Sequence, residues 1–381
     1  MSHFPIQKFR NLRTPFYYYD ADLLSATLAA LKEAAPEKEF CVHYAIKANT
    51  NPRILKIIAD NGFGADCVSE GEIRVALDAG FEPAKIAFAG VGKSDEEIEY
   101  AIECGIGCFN VESLPELELI NEIATKKDKT IDIALRVNPN IEAHTHHYIT
   151  TGLNENKFGI ALEMLDDAIA YCTGQPRLRL TGLHFHIGSQ ITTNKPFALL
   201  CEKINEITAQ YSARGIDFSS INVGGGLGID YKNPDANPIP DFASYFDTFR
   251  KNLNRRPGQT VHFELGRSIV AQCGSLITRV LYVKDGLEKK FVILDAGMTD
   301  LIRPALYQAH HHIQNLTSTS TETDSYDVVG PICESSDCFG TDETLPCTVR
   351  GDLFAIRSAG AYGEIMASQY NCRRLPGSII S

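Results

Sequence analysis

A lysine directly after an apolar run, a string of glycines, and a glutamate three residues before an arginine are the places where this sequence could do chemistry. Lys47 closes the segment His43-Tyr44-Ala45-Ile46-Lys47-Ala48-Asn49. At the mouth of a dry cavity, burial disfavours a lysine's charged form, and the free amine becomes available for a Schiff base. The competing reading is a surface lysine at a strand end. In Val223-Gly224-Gly225-Gly226-Leu227-Gly228, adjacent glycines let backbone N–H groups approach an anion such as phosphate. The spacing is not G-x-G-x-x-G, so a dinucleotide fingerprint is absent, and a plain tight turn is the alternative. In Glu264-Leu265-Gly266-Arg267, a buried Glu264 could pair with a protonated pyridine nitrogen, and Arg267 could clamp a phosphate or carboxylate through two N–H groups. An internal Glu–Arg ion pair competes. In His184-Phe185-His186-Ile187-Gly188-Ser189 both histidines fall on one face of a strand. His186 could stack on a flat ring and Ser189 could bond a phosphate. A metal is less favoured, because the carboxylates and thiols that might complete its shell are dispersed.

Residues this far apart need a scaffold that gathers them. Strand-like runs fall at 41–46, 64–68, 86–89, 107–111, 131–138, 178–187, 221–224 and 261–264. Amphipathic stretches such as Pro52–Asp60, Glu70–Ala79, 95–103 and 115–124 lie between them. Eight strand–helix units with short connections predict a closed (β/α)8 barrel of the TIM type. Chemistry in such barrels sits at the C-terminal strand ends. Reading those ends gives Lys47, Asp66, Gly90, Asn110, Asn138, His186, Gly224–Gly226 and Glu264. Phosphate sites recur after strands seven and eight, where the glycines fall.

After Glu264 the texture changes. Runs at 268–284, Lys290–Leu294, 326–330 and 352–356 are β-like, and the Ser/Thr-rich stretch 316–325 is expected to be a flexible loop. A β-rich second domain is predicted there, joined by the strand-like Phe16–Tyr19. With 36 basic against 48 acidic residues, the net charge of −12 argues against a nucleic-acid partner. No apolar run approaches a membrane span, and no signal-peptide core is visible. Eleven scattered cysteines without a C-x-x-C pair fit reduced thiols in a cytoplasmic protein. Three segments invite false readings. Ala87–Ser94 imitates a P-loop but is read as a barrel loop whose Ser94 caps a helix. The histidine clusters at 144–147 and 310–312 lack metal-site framing and read as surface or interface features, so no metal is expected.

Together these motifs resemble the diaminopimelate decarboxylase branch of the barrel-type pyridoxal-phosphate decarboxylases, alongside the ornithine and arginine enzymes. The likeness runs from Thr14-Pro15-Phe16-Tyr17 to Asn371. It includes Tyr44-Ala45-Ile46-Lys47-Ala48-Asn49, Gly64-Ala65-Asp66, Gly182–Gln190, Asp295-Ala296-Gly297-Met298 and Arg303-Pro304-Ala305-Leu306-Tyr307. Gly330-Pro331-Ile332-Cys333-Glu334-Ser335 and Ser358-Ala359-Gly360-Ala361-Tyr362-Gly363 complete it. Where the family usually has proline, this chain has Leu265.

The resemblance implies an alanine-racemase-like barrel over 22–265, with 1–21 and 266–381 forming the β domain. It implies pyridoxal-5'-phosphate-dependent decarboxylation of meso-2,6-diaminopimelate to L-lysine and CO2, the last step of lysine biosynthesis. Lys47 would hold the cofactor, with His186 stacked on its ring, Glu264 at its nitrogen, and Asp66, Ser189, Gly225, Gly226, Gly266, Arg267 and Tyr362 around it. Arg267, Arg303, Tyr307, Glu334 and Tyr362 would bind substrate. Cys333 would protonate the product carbon, acting with Glu334 in the partner's site of a homodimer. The rivals are a decarboxylase for another basic amino acid, a related racemase, and a non-catalytic pyridoxal-phosphate-binding homologue. Retention of Lys47, Glu264 and Cys333 argues against the last.

Overall fold

Eight short parallel strands close on themselves in the first two-thirds of the chain. The computed structural model describes residues 4–36, 40–139, 141 and 157–381. The strands are Phe40–Ala45, Gly64–Cys67, Ile86–Phe88, Cys108–Val111, Ile131–Arg136, Leu178–His184, Ser220–Asn222 and Thr260–Leu265. Each pairs with the next, and the last returns to the first. This is the (β/α)8 barrel expected from the alternating pattern. The helices between strands begin where the sequence supplies caps. Ser69 and Ser113 accept backbone N–H bonds from Glu72 and Glu116, and Ser94 with Glu97 forms a reciprocal capping box. Ser94 therefore plays the role read for it.

The P-loop-like lysine is buried beside that cap. Lys93 Nζ donates to the carbonyls of Gly90 at 2.8 Å and Asn110 at 2.9 Å, and pairs with Glu116 at 2.5 Å. It braces a loop.

The eighth strand carries Glu264, so what holds that strand matters. Phe263 points outward and meets the rings of Phe40 at 5.0 Å, Phe246 at 4.7 Å and Phe249 at 5.0 Å, all near edge-on. Such ring pairs contribute about 0.5–1.5 kcal/mol each beyond their buried area. Alternation then turns His262 and Glu264 inward. Leu265 extends the strand: it pairs with Tyr44 and is buried.

Polar residues occupy the barrel's lower end as well as its mouth. A cavity of about 230 Å³ there is lined by His43, Cys108, Asp132, Thr181, Ser220 and His262, among others. The two histidines form a one-way chain. His43 Nδ1 donates to the Lys85 carbonyl at 3.1 Å, so its Nε2 must accept from His262 Nδ1 at 2.9 Å. His262 Nε2 in turn accepts from the Thr260 hydroxyl at 3.0 Å. Every bond in the chain is satisfied with both rings neutral.

The chain divides into two compact units. One comprises Leu28–Gly228 and Asp241–Gly266, the barrel; the other comprises Met1–Thr27, Ile229–Pro240 and Arg267–Ser381. The second is built on one eight-stranded sheet, ordered Ile313–Asn315, Leu353–Ile356, Gly274–Asp285, Lys290–Leu294, Thr323–Val329, Cys338–Pro346. Phe16–Tyr19 also pairs with Gly274–Asp285, and Gly377–Ile380 pairs with Phe16–Tyr19. Phe9, Phe16, Tyr18, Ile277, Leu353 and Ala355 form a core on this sheet.

Three expectations change. The run read as strand from 268 begins as a helical turn, Arg267–Val270, and becomes strand at Gly274. The 316–325 stretch is pinned: Thr317 Oγ1 donates to Asp352 at 2.8 Å, Ser318 Oγ donates to the Cys347 carbonyl at 2.7 Å, and its last residues are strand. His311 is fully buried rather than on a surface. The 144–147 cluster lies outside the described residues. Among those described, no helix is long and apolar enough to cross a membrane, and no group of three His, Cys, Asp or Glu is placed to hold a metal.

The neutral histidine chain makes a pH-dependent prediction. Burial, then the neighbouring His43, pushes His262 down to about 3, while a histidine in an unfolded chain titrates near 6.5. Above that value neither state is protonated and the site's stability is intact. Below it the unfolded chain binds a proton that the folded barrel refuses, and stability is lost as pH falls toward the folded value. Buried Asp300, pushed up to about 6 by burial, titrates in the same range, so a difference isolates the histidine. Relative to wild type, His262→Gln is expected to flatten the stability profile by about 1.4 kcal/mol per pH unit between about pH 6 and 4. Urea midpoints across that range measure it; parallel profiles would show that His262 titrates normally.

Candidate active site

The C-terminal end of the barrel gathers Lys47, Asp66, His186, Gly224–Gly226 and Glu264. Lys47 sits in a single tight turn, Ile46–Ala48, directly after the first barrel strand. Gly266 lets that turn pack closely: a Cβ there would stand 3.0 Å from the Ala48 Cβ and 3.1 Å from the Ala45 Cβ. Lys47 Nζ is 3.9 Å from Asp66 Oδ2, and its side chain remains partly exposed at the mouth. Asp66 comes from the next strand, buried, with Oδ1 lacking any hydrogen-bond partner. Burial, then the Glu264 charge, pushes the Asp66 carboxyl well above its ordinary range.

Glu264 is held by three side-chain donors. Asn110 Nδ2 and Asn222 Nδ2 donate to its Oε1 at 3.1 and 2.8 Å, and His184 Nε2 donates to Oε2 at 3.2 Å. Burial raises its pKa, but His184, His186 and Lys47 more than offset this, and the carboxyl lies well below its usual range. An ionised carboxylate is what three convergent N–H groups require. His184 Nδ1 is buried and has no hydrogen-bond partner.

His186 faces the glycine turn. Gly225 N–H donates to His186 Nδ1 at 3.2 Å, so this amide orients the ring and leaves the proton on Nε2. Burial, then Arg136 and Lys47, holds His186 well below its usual pKa. The turn admits no side chains. A Cβ on Gly225 would meet the Glu264 carbonyl at 2.0 Å, and one on Gly224 the Phe185 carbonyl at 2.4 Å. Backbone contact therefore demands these glycines, whatever else they bind. Ser189 follows in the loop after the sixth strand.

A second cluster belongs wholly to the sheet unit. Arg303 and Tyr307 share the short helix Arg303–Tyr307, as their four-residue spacing implies. Arg267 and Arg303 are both buried. The Arg303 Cζ lies 5.4 Å from the Tyr231 ring, 5.8 Å from Tyr307 and 5.9 Å from Tyr362. Arg267 Cζ lies 4.9 Å from Tyr362, and its Nη1 donates to the Tyr231 hydroxyl at 2.6 Å. Tyr362 holds a left-handed backbone, φ 56°, which is uncommon for a bulky residue. Two guanidinium groups in one aromatic cage have the chemistry to receive an anion.

Cys333 and Glu334 lie apart from this cluster in sequence, on an exposed loop of the same unit. Cys333 N–H donates to Asn371 Oδ1 at 3.1 Å, and Tyr370 donates to Glu334 Oε1 at 2.7 Å. Asp337 pins the loop by accepting the N–H groups of Ile332 at 2.7 Å and Met298 at 2.6 Å.

Residues 22–271 match the family model for the pyridoxal-binding domain of pyridoxal-dependent decarboxylases. The chain is 59% identical to the diaminopimelate decarboxylase of Bacteroides thetaiotaomicron over 374 residues, covering 98% of this chain and 97% of that one. It is 43% identical to the Neisseria meningitidis diaminopimelate decarboxylase over 96% of this chain and 87% of that one. It superposes on the crystal structure of Helicobacter pylori diaminopimelate decarboxylase complexed with L-lysine with a TM-score of 0.93 and 43% identity, covering 99% of this chain and 93% of that one. The chain belongs to the diaminopimelate decarboxylase family. It is thus a pyridoxal-phosphate-dependent decarboxylase, a carbon–carbon lyase.

The barrel residues fit the cofactor of this family. A buried carboxylate kept ionised by three donors suits a protonated ring nitrogen. The partnerless Asp66 Oδ1 and the turn that excludes any Cβ mark a mouth with unspent polar capacity. Asn110, Asn222 and His184 as holders of Glu264, Tyr231 in the arginine cage, and His311 beside Arg303 had no assigned role in the sequence reading. Asn110 carried a signal as a polar residue at a strand end, and His184 as a residue on the same strand face as His186.

Proposed function

We propose that this family member converts meso-2,6-diaminopimelate to L-lysine and CO2, with the cofactor held covalently by Lys47. The observation that carries the substrate is the pair of buried arginines, Arg267 and Arg303, in one cage. This substrate keeps a carboxylate at the end that does not react, whereas ornithine and arginine have none there. Leaving a buried arginine without its anion costs about 1–3 kcal/mol, enough to disfavour such substrates roughly tenfold or more.

Bound in the barrel, pyridoxal 5'-phosphate supplies the electron sink for the breaking carbon–carbon bond. In this reading Glu264 would hold a proton at the ring nitrogen, and His186 would lie against the ring without adding charge. Asp66 would hold the Lys47 amine, which lies 3.9 Å away, and Ser189, Gly225, Gly226, Gly266, Arg267 and Tyr362 would hold the phosphate end. Arg267, Arg303, Tyr307, Tyr362 and the partner's Glu334 bind the far end of the substrate, and Cys333 Sγ delivers the proton that replaces the lost carboxylate. Cys333 and Glu334 are exposed on a single chain, which supports a homodimer in which they serve the other subunit. Eleven cysteines without a disulfide support a reducing, cytoplasmic setting.

Borohydride reduction of the purified protein is expected to fix the cofactor on the peptide containing Lys47. Lys47→Ala should lose the label; tagging of Lys93 instead would refute the anchor. Comparison of kcat/KM for meso-diaminopimelate, lysine, ornithine and arginine tests the substrate. The wild type should favour diaminopimelate by roughly tenfold or more, and Arg303→Ala should lose that preference while staying folded. Equal turnover of ornithine by wild type would overturn the substrate and leave the cofactor chemistry standing. Mixing inactive Lys47→Ala with inactive Cys333→Ala should restore up to about a quarter of wild-type activity through random subunit exchange in a two-fold dimer. No recovery despite demonstrated exchange would put both residues in one subunit's site.

A further inference from the structure

We propose that His311 is a positioning residue that aims Arg303 at a ligand carboxylate, with Tyr231 doing the same for Arg267. The inference rests on the reading of the arginine cage as the site for the substrate's far carboxylate.

An arginine side chain is long, and two guanidinium groups in one cage repel each other. Arg267 and burial both push Arg303 below its ordinary pKa, burial the more strongly. Something must set the plane of each group before an anion arrives, or binding must bear the cost of ordering them. His311 supplies this for Arg303. Its Nδ1 donates to the Arg357 carbonyl at 2.9 Å, which fixes the proton on Nδ1 and leaves a lone pair on Nε2. Arg303 Nε donates to that lone pair at 3.3 Å. A guanidinium is planar, so spending Nε–H on His311 turns the Nη edge the other way. The ring stays neutral in the process: burial, then the adjacent Arg303, pushes His311 down to about 3.

Tyr231 ties the second arginine to the same frame. Its hydroxyl accepts from Arg267 Nη1 at 2.6 Å, and its ring meets His311 edge-on, centroids 5.0 Å apart at 76°. One imidazole and one phenol thus orient both guanidinium groups. Tyr231 comes from the Ile229–Pro240 segment and His311 from the stretch after Tyr307, so the frame is a tertiary one.

Two near-isosteric substitutions separate aiming from bracing. In His311→Gln the amide oxygen reaches the place of Nε2 and can still accept from Arg303, while the tie to Arg357 is lost. In His311→Asn the amide nitrogen sits near Nδ1 and can keep the tie to Arg357, while the acceptor for Arg303 is lost. The holoenzyme and both variants are titrated with L-lysine and with cadaverine, which is lysine without its carboxylate. Wild type should bind lysine at least roughly tenfold tighter than cadaverine, the worth of a charge-assisted bond. His311→Asn should lose most of that ratio, with cadaverine binding and cofactor content held, and His311→Gln should keep most of it. Discrimination kept by His311→Asn, or lost only by His311→Gln, would overturn the role of His311 and leave the arginine site intact. A wild type that does not distinguish the two ligands would overturn both readings. Should His311→Asn fail to fold, Tyr231→Phe carries the test, since it keeps the ring against His311 and removes the acceptor for Arg267. An unchanged ratio there would also overturn the proposal.

Discussion

A carboxylate inside a barrel wall must either pick up a proton or be surrounded by donors. Glu264 takes the second course, and much of the barrel is arranged around it. Its donors come from three other strands or their ends: Asn110 from the fourth, His184 from the sixth, Asn222 from the seventh. Barrel closure is what brings them within reach, since Asn110 and Glu264 are 154 residues apart in the chain. The aromatic packing of Phe263 on the outside keeps the strand in register, so Glu264 stays on the inside. Removing one donor would leave a buried charge partly uncompensated, a far larger loss than one ordinary hydrogen bond.

The two ends of this polar interior use imidazole differently. At the lower end His43 and His262 are neutral because a directed chain of bonds satisfies both rings. At the mouth His186 is neutral because it is enclosed near Arg136 and Lys47 and accepts from Gly225. In the sheet unit His311 is neutral because its proton is committed to a carbonyl and its lone pair to an arginine. The same residue type serves as a link in a bonded chain, as the acceptor for a glycine turn and as the acceptor for an arginine, and its neighbours alone decide which.

Legibility in the sequence followed locality. Lys47, Asp66 and Glu264 end short apolar runs, so strand periodicity and barrel logic found them without any knowledge of contacts. The eight barrel strands were placed within a few residues for the same reason. The 310–312 histidines read as a surface or interface feature because three successive histidines look hydrophilic, and only packing within the chain buries the middle one, His311. Tyr231 lies among turn-forming residues with no periodic signal. The strand Cys338–Pro346 reads as polar and turn-like, yet it forms because Thr323–Val329 offers a partner edge.

The pairing of Phe16–Tyr19 with Gly377–Ile380 has a bearing on how the chain comes into being. These strands lie side by side, and Ala21 N–H and Tyr19 C=O bond Ser381 at 3.0 and 3.1 Å. A ribosome makes the first of them long before the second. While the whole barrel segment emerges, an apolar strand of one phenylalanine and three tyrosines waits without its parallel neighbour. Domains fold as they are synthesised, from the N-terminal side. Here the earliest strand belongs to the unit completed last, so through most of translation it has neither of its partner strands, Gly274–Asp285 and Gly377–Ile380.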